Sequence, residues 1–246
     1  MENISSESIA ARLYAIEERI NNAAERALRN PDDISLVAVS KTFPPEIIDE
    51  GIRAGISILG ESKIQEAMAK HEQCSSADWH FIGRLQRNKI RHALSIFSAI
   101  HSVDSLQLME SIARVQDETG QRPQLFLQVN VSGEASKTGF SPEGARETLT
   151  NFPRLISELN IVGLMTIPPW APEAEASRPY FRTLRELRDS ISSELEIDLP
   201  ELSMGMSGDF EVAIEEGATF VRIGSAIFGK RSSWKPQRTP DSDDYF

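Results

Sequence analysis

Short apolar runs recur along this chain with helical patterns between them, and that alternation limits the fold more than any other feature. The runs are Leu36–Ser40, Ser57–Leu59, Trp79–Ile82, Ala99–Val103, Leu125–Val131, Ile161–Thr166, Glu201–Met204 and Phe220–Gly224. Helical spacing of apolar residues fills the intervals at Glu46–Ala54, Ser62–Lys70, Gln86–His92, Ser105–Thr119, Pro142–Phe152, Ala174–Leu195 and Asp209–Glu216. Strand–helix alternation implies a parallel sheet, because a parallel neighbour is reached only through a crossover. Eight units in 246 residues suit a single closed (β/α)8 TIM barrel, an α/β fold, better than an open doubly wound sheet. An extra amphipathic helix, from about residue 5 to 29, precedes them. Its apolar face carries Ile9, Leu13, Ile16, Ile20, Ala23, Ala24 and Ala27, and Asn30-Pro31 ends it. Residues 1–231 are therefore expected to form one barrel domain. Residues 232–246, rich in Pro, Ser and Asp, read as a flexible tail.

Composition removes several classes of function. The formal charge of −11 argues against a protein built around nucleic acid, whose footprint is basic. No signal peptide or long apolar span is evident, which points to a cytoplasmic protein without a membrane segment. The single cysteine, Cys74, cannot form an internal disulfide and lies in a polar stretch. His71, His80, His92 and His101 show no metal-ligand spacing, so no metal is expected; His80 and His101 are placed at strand ends facing the barrel mouth. A G-x-S-x-G elbow is absent as well. Arg84 to Arg91 is a basic patch that reads as a solvated helix face or a dock for a small anion.

Three segments carry candidate chemistry. In Ile34–Thr42, Leu36, Val37, Ala38 and Val39 are apolar on both alternating sets, as in a strand covered on both faces. Lys41 then falls where the strand enters its loop, the edge at which these barrels hold their chemistry. It is either a solvated charge or an amine desolvated enough to attack an aldehyde. Met204-Gly-Met-Ser-Gly-Asp209 precedes a helical run, and Val221-Arg-Ile-Gly-Ser225 ends a strand on small residues. Both lie after the last two strands, a recurrent phosphate site; the plainer reading of the first is an N-cap at Ser207 or Asp209. Gly224 to Lys230 fits P-loop spacing up to its lysine, but Arg231 stands where magnesium needs a Ser or Thr. That string reads as a helical turn closing the barrel.

Strings of residues then agree with one family. VAVSKT around Lys41, LGES and IQEA from Leu59, WHFIGRLQRNK from Trp79 and VNVSGEASKTGF from Val129 all resemble the pyridoxal 5′-phosphate (PLP) homeostasis protein family. So do GLMTIPP from Gly163 and LSMGMSGDFEVAIEEGATFVRIGSAIFGKR from Leu202, so the likeness runs from about Ile34 to Arg231. The resemblance implies a barrel similar to the N-terminal domain of alanine racemase, with PLP held as a lysine aldimine. By position, Lys41 looks like the Schiff-base lysine. Ser207, Gly208, Gly224 and Ser225 look like the phosphate cradle, and Arg222 matches the arginine facing the pyridine nitrogen. Asn130, His80 and Met165 fall in motifs implied to line the same mouth. Two departures stand out: Ser62 replaces the family's usual Asn after Gly60-Glu61, and Gly208 replaces a more usual Asp or Ser.

The resulting expectation is a PLP-binding regulator or carrier that keeps free PLP low, acts in vitamin B6, amino-acid and keto-acid balance, and delivers PLP to apo-enzymes. The rival is a racemase or decarboxylase on the same scaffold; a nucleotide-binding switch would rest on the defective P-loop alone. Alanine racemases, by the same resemblance, supply a second base as a tyrosine from an additional domain, for which this chain leaves no room. No catalytic residue is expected, and Tyr14, Tyr180 and Tyr245 all fall away from strand ends.

Overall fold

A computed structural model describes residues 8–74, 76–230 and 234–235. In chain order it comprises α1 (Ile9–Arg26), β1 (Ser35–Val39), α2 (Pro45–Arg53), β2 (Ile58–Glu61), α3 (Ile64–His71) and β3 (Asp78–Phe81). There follow α4 (Ile90–Ile96), β4 (Ala99–Val103), α5 (Leu106–Thr119), β5 (Gln124–Gln128), α6 (Pro142–Asn151) and α7 (Pro153–Glu158). The last are β6 (Ile161–Met165), α8 (Arg178–Leu195), β7 (Glu201–Met206), α9 (Phe210–Glu215), β8 (Phe220–Ile223) and α10 (Ser225–Phe228). All neighbouring strands are parallel, and pairing of β8 with β1, Ser35 opposite Phe220 through Ala38 opposite Ile223, closes the barrel.

The period of two along each strand explains the core. Ala38, Leu59, Phe81, Ile100, Leu164 and Val221 face outward into one large apolar cluster shared with the helices. Val37, Ala99, Phe126, Met165 and Phe220 form a second cluster drawn from strands alone, which is the barrel interior. Gly163 lets β6 and β7 approach: a Cβ there would sit 1.9 Å from the Glu201 carbonyl oxygen. Outside, α1 is fastened to α9 and α10. Arg12 Nε donates to the Ile227 carbonyl at 2.6 Å, Arg19 pairs with Glu211, and Arg26 pairs with Glu215.

The elements fall close to where the sequence pattern places them, with four instructive differences. The helix expected at Gln86–His92 starts as a 3-10 turn, Arg87–Lys89, and its α-helical part, α4, is displaced to Ile90–Ile96. Helix α1 is shorter than expected, starting from a Ser8 cap and ending at Arg26. The fifth run stops pairing at Gln128, and only Val129 opposite Phe140 continues as an isolated bridge. Helix α7 is additional: Phe152, at φ −122° and ψ 53°, breaks the helical path, and Pro153 starts a new one. The expected flexible tail, Trp234 and Lys235 apart, lies outside the described residues.

Candidate functional site

Three loops that carry the candidate residues follow three adjacent strands, because β8 pairs with both β7 and β1. Ser207 and Gly208 follow β7, Gly224 and Ser225 follow β8, and Lys41 follows β1. Adjacency in the closed barrel thus puts all five on one stretch of its C-terminal rim.

Lys41 is half-buried, as is Thr42 after it, whereas Ser40 before it is fully buried. Thr42 holds φ 69°, a left-handed conformation that a β-branched residue keeps only when its surroundings enforce it. Glu66 Oε2 accepts from the Thr42 N–H at 2.9 Å. On the other side Lys70 Nζ donates to the Ser40 carbonyl at 3.1 Å, and Ser40 Oγ donates to Glu61 Oε1 at 3.2 Å. Lys70 also pairs with Glu61 at 2.5 Å and Glu66 at 3.4 Å, all three side chains being buried. Burial pushes the Glu61 carboxyl up, against the pull of Lys70. Sequence reasoning singled out neither Glu66 nor Lys70. Their i, i+4 spacing on α3 was the available signal, but such pairs are ordinarily solvated.

Asp209 shapes the loop after β7. Its N–H donates to the Met206 carbonyl, and its Oδ1 accepts from the Met206 N–H at 2.7 Å, closing a turn with Ser207 and Gly208 at the tip. Oδ2 accepts from Ser177 Oγ at 3.0 Å. Asp209 occupies the N-cap position of α9 without capping it, so its carboxylate holds the turn instead. Gly208 is exposed, with nothing within 4 Å of an added Cβ. Gly224 is tight, for a Cβ would stand 3.2 Å from both Val39 Cβ and its carbonyl oxygen. Ser225 is exposed and opens α10, whose Ile227 and Phe228 are buried. The P-loop-like string is therefore a closing turn, as expected.

Arg222 points into the barrel and is almost fully buried. Its Nη1 donates to Ser203 Oγ at 2.6 Å and its Nη2 to the Thr166 carbonyl at 2.9 Å. Burial pulls its pKa down to about 10, which leaves it cationic at neutral pH. The chain of contacts runs on: Ser203 Oγ to His101 Nδ1 at 2.7 Å, His101 Nε2 to His80 Nδ1 at 3.0 Å, and His80 Nε2 to Asp78 Oδ2 at 3.5 Å. A guanidinium only donates, so Ser203 Oγ accepts from Arg222, while the directions of the bonds at His101 and His80 are set by their tautomers. Burial first, then the charges of His80 and Arg222, hold His101 well below its ordinary pKa. His80, His101 and Met165 are buried in the barrel interior, His80 and His101 packed with the rings of Phe220 and Phe126 and Met165 in the same cluster. Asn130 staples its own loop, donating to the Glu134 carbonyl at 2.9 Å and accepting from Ser132. Ser62 bonds backward, its N–H donating to Glu61 Oε2 at 3.1 Å. In the basic patch Lys89 is buried, contrary to a wholly solvated face. Among the described residues no three His, Cys, Asp or Glu side chains gather as metal ligands, and no helix is long and apolar enough to cross a membrane.

An amine at the edge of the rim, two hydroxyls and open space at Gly208 match the donors that an aldehyde with a phosphate would need. Residues 12–232 match the family model of the alanine racemase N-terminal domain. The pyridoxal phosphate homeostasis protein of Aquifex aeolicus is 45% identical over 222 residues, covering 89% of this chain and 97% of that protein. The protein so named from Homo sapiens is 36% identical over 249 residues, covering 95% and 90%. PipY of Synechococcus elongatus, solved with PLP bound, superposes with a TM-score of 0.79 at 35% identity over 90% of this chain and 100% of that one. An alanine racemase of Clostridium difficile shares the fold, with a TM-score of 0.65 at 13% identity over 86% of this chain and 56% of that one. The barrel, the order of its motifs and these identities along nearly the whole length lead to one conclusion: the chain belongs to the pyridoxal phosphate homeostasis protein family.

Proposed function

We propose that this protein binds PLP on the rim formed by the ends of β1, β7 and β8, and serves PLP (vitamin B6) homeostasis as a carrier or regulator rather than as an enzyme. The observation that carries this reading is the placing of a half-buried lysine beside two serine–glycine loops. The names of its relatives and the PLP bound to PipY support the same cofactor. Lys41 supplies the amine that condenses with the aldehyde, forming a C=N bond and releasing one water. Ser207, Gly208, Gly224 and Ser225 hold the phosphate through hydroxyls and backbone N–H groups. Arg222 faces the pyridine nitrogen, its plane fixed by Ser203 and Thr166. Apo-enzymes that need PLP are the recipients, which fits an action on amino-acid and keto-acid balance, and the setting is the cytoplasm.

Absorbance of the purified protein with PLP, before and after borohydride reduction, tests the assignment. Reduction is expected to fix the cofactor on the peptide that carries Lys41. Label on Lys63, Lys89 or Lys137 instead would overturn it.

A further inference from the structure

We infer that Glu66 and Lys70 are positioning residues for Lys41, acting through the two peptide groups that flank it. This rests on the reading of Lys41 as the amine that takes the PLP aldehyde. The buried carboxylate of Glu66 accepts from the Thr42 N–H at 2.9 Å, and the buried ammonium of Lys70 donates to the Ser40 carbonyl at 3.1 Å. Lys41 is thereby suspended between two charged anchors that are themselves paired at 3.4 Å, with Glu61 at 2.5 Å completing the cluster. Hydrogen bonds to buried charges are stronger than neutral ones and hold their geometry. The anchors meet a backbone that needs them, because Thr42 stands at φ 69°. Without the Glu66 acceptor Thr42 would relax toward an ordinary φ and swing the Lys41 Cα. A buried ion cluster is a weak device for stability, since its desolvation offsets most of its attraction. Fixing the direction of one side chain is a use that this geometry serves directly. Displacement of a reacting group by about 1 Å can cost about a hundredfold in rate.

The test compares two ligands on the full chain. PLP reports condensation at Lys41, through the rate of appearance of borohydride-trapped label. Pyridoxamine 5′-phosphate has no aldehyde and reports only ring and phosphate binding. Glu66→Met removes the acceptor while leaving Lys70 paired with Glu61; Glu66→Gln keeps an oxygen for Thr42. A second arm, Lys70→Met with Glu61→Gln, withdraws the Ser40 anchor and keeps the charge balance. Glu66→Met and the double variant are expected to slow trapping by at least about tenfold, with pyridoxamine 5′-phosphate affinity within about threefold of the unaltered protein. Glu66→Gln is expected to recover trapping to within about threefold. Trapping at the unaltered rate in Glu66→Met overturns the inference. So does equal loss of both ligands, the signature of a merely structural role or of a variant that does not fold, and so does failure of Glu66→Gln to recover. If the unaltered protein is not labelled at Lys41, the assignment of Lys41 itself falls, whatever the variants do.

Discussion

A phosphate bound to an acidic protein must be held by local donors, because the net charge of −11 opposes it. Ser207 and Ser225 supply hydroxyls at the ends of neighbouring strands, and a hydrogen bond to a charged group contributes about 1.5–3 kcal/mol. Replacing both by alanine is therefore expected to weaken PLP retention at least about tenfold and to leave pyridoxal, which has no phosphate, little affected. Equilibrium binding of the two ligands checks this. The interior histidines allow a separate prediction about pH. His101 is held neutral in the folded protein, well below its ordinary 6.5, chiefly by burial. Below about pH 6.5 the unfolded chain takes up a proton at this residue that the folded chain refuses, so stability falls as pH falls. The contribution is up to about 1.4 kcal/mol per pH unit. His101→Gln should lower stability at pH 8 yet flatten the acid slope by about one proton, as read from denaturant unfolding at several pH values. At this scale the sequence was legible for residues that end strands, Lys41 and Ser225 among them, because an apolar run terminating on a polar residue marks the rim. It was not legible for Lys70, Glu66 or the order of the interior chain. Those depend on which side chains meet across strands far apart in sequence, as Ser203 and His101 do.

The loop after β7 carries Ser207 and Gly208 of the proposed cradle, and its support comes from residues outside the cradle. Its turn is closed by Asp209, Asp209 is tied to Ser177, and the next residue, Arg178, opens α8. Arg178 then reaches Glu215 at 2.6 Å and Glu216 at 3.2 Å at the end of α9. Glu216 gathers Arg182 and Arg185 as well, at 3.0 and 3.2 Å. Burial alone would raise the Glu216 carboxyl, but these arginines pull it below its ordinary range. Both ends of α9 are in this way fastened to α8, and the Ser207–Gly208 tip is carried between them. Glu216→Gln keeps the shape and removes the charge. The three arginines are partly solvated, so the loss is expected to be moderate, about 1–3 kcal/mol in denaturant unfolding. A shift of several degrees in Tm should accompany it, with PLP released faster from the variant. The helical pattern of α9 could be read from its apolar spacing. Its clamp could not, because arginines on α8 at spacing 178, 182 and 185 look like any solvated face.

Across the whole molecule, strand–helix periodicity was enough to infer the closed barrel, since parallel strands covered on both faces carry near-continuous apolar runs. The residues around the barrel interior bear on the last prediction, that the protein turns amino acids over poorly. Racemisation at an α-carbon needs an electron sink and proton-transfer groups on both faces of the substrate. Arg222, cationic and facing the pyridine nitrogen in the proposed arrangement, disfavours protonation of that nitrogen and so weakens the sink. Its two bonds, to Ser203 and Thr166, hold it in the interior. The second face has no tyrosine among the described residues at a strand end: Tyr14 is exposed on α1 and bonded to Glu18, and Tyr180 lies on α8. Tyr245 lies outside the described residues. An arginine alone need not stop catalysis, but without a tyrosine opposite it among the described residues the proposed arrangement has Lys41 as its proton-transfer group, on one face. Exchange of amino acids onto the bound cofactor is then expected, with negligible racemisation, transamination or decarboxylation. Incubation of the PLP-loaded protein with L- and D-amino acids in deuterated water measures this through α-proton exchange and product formation. Steady turnover at about 1 s⁻¹ or more, the lower end of ordinary enzymes, would sink the carrier reading and make the protein an enzyme.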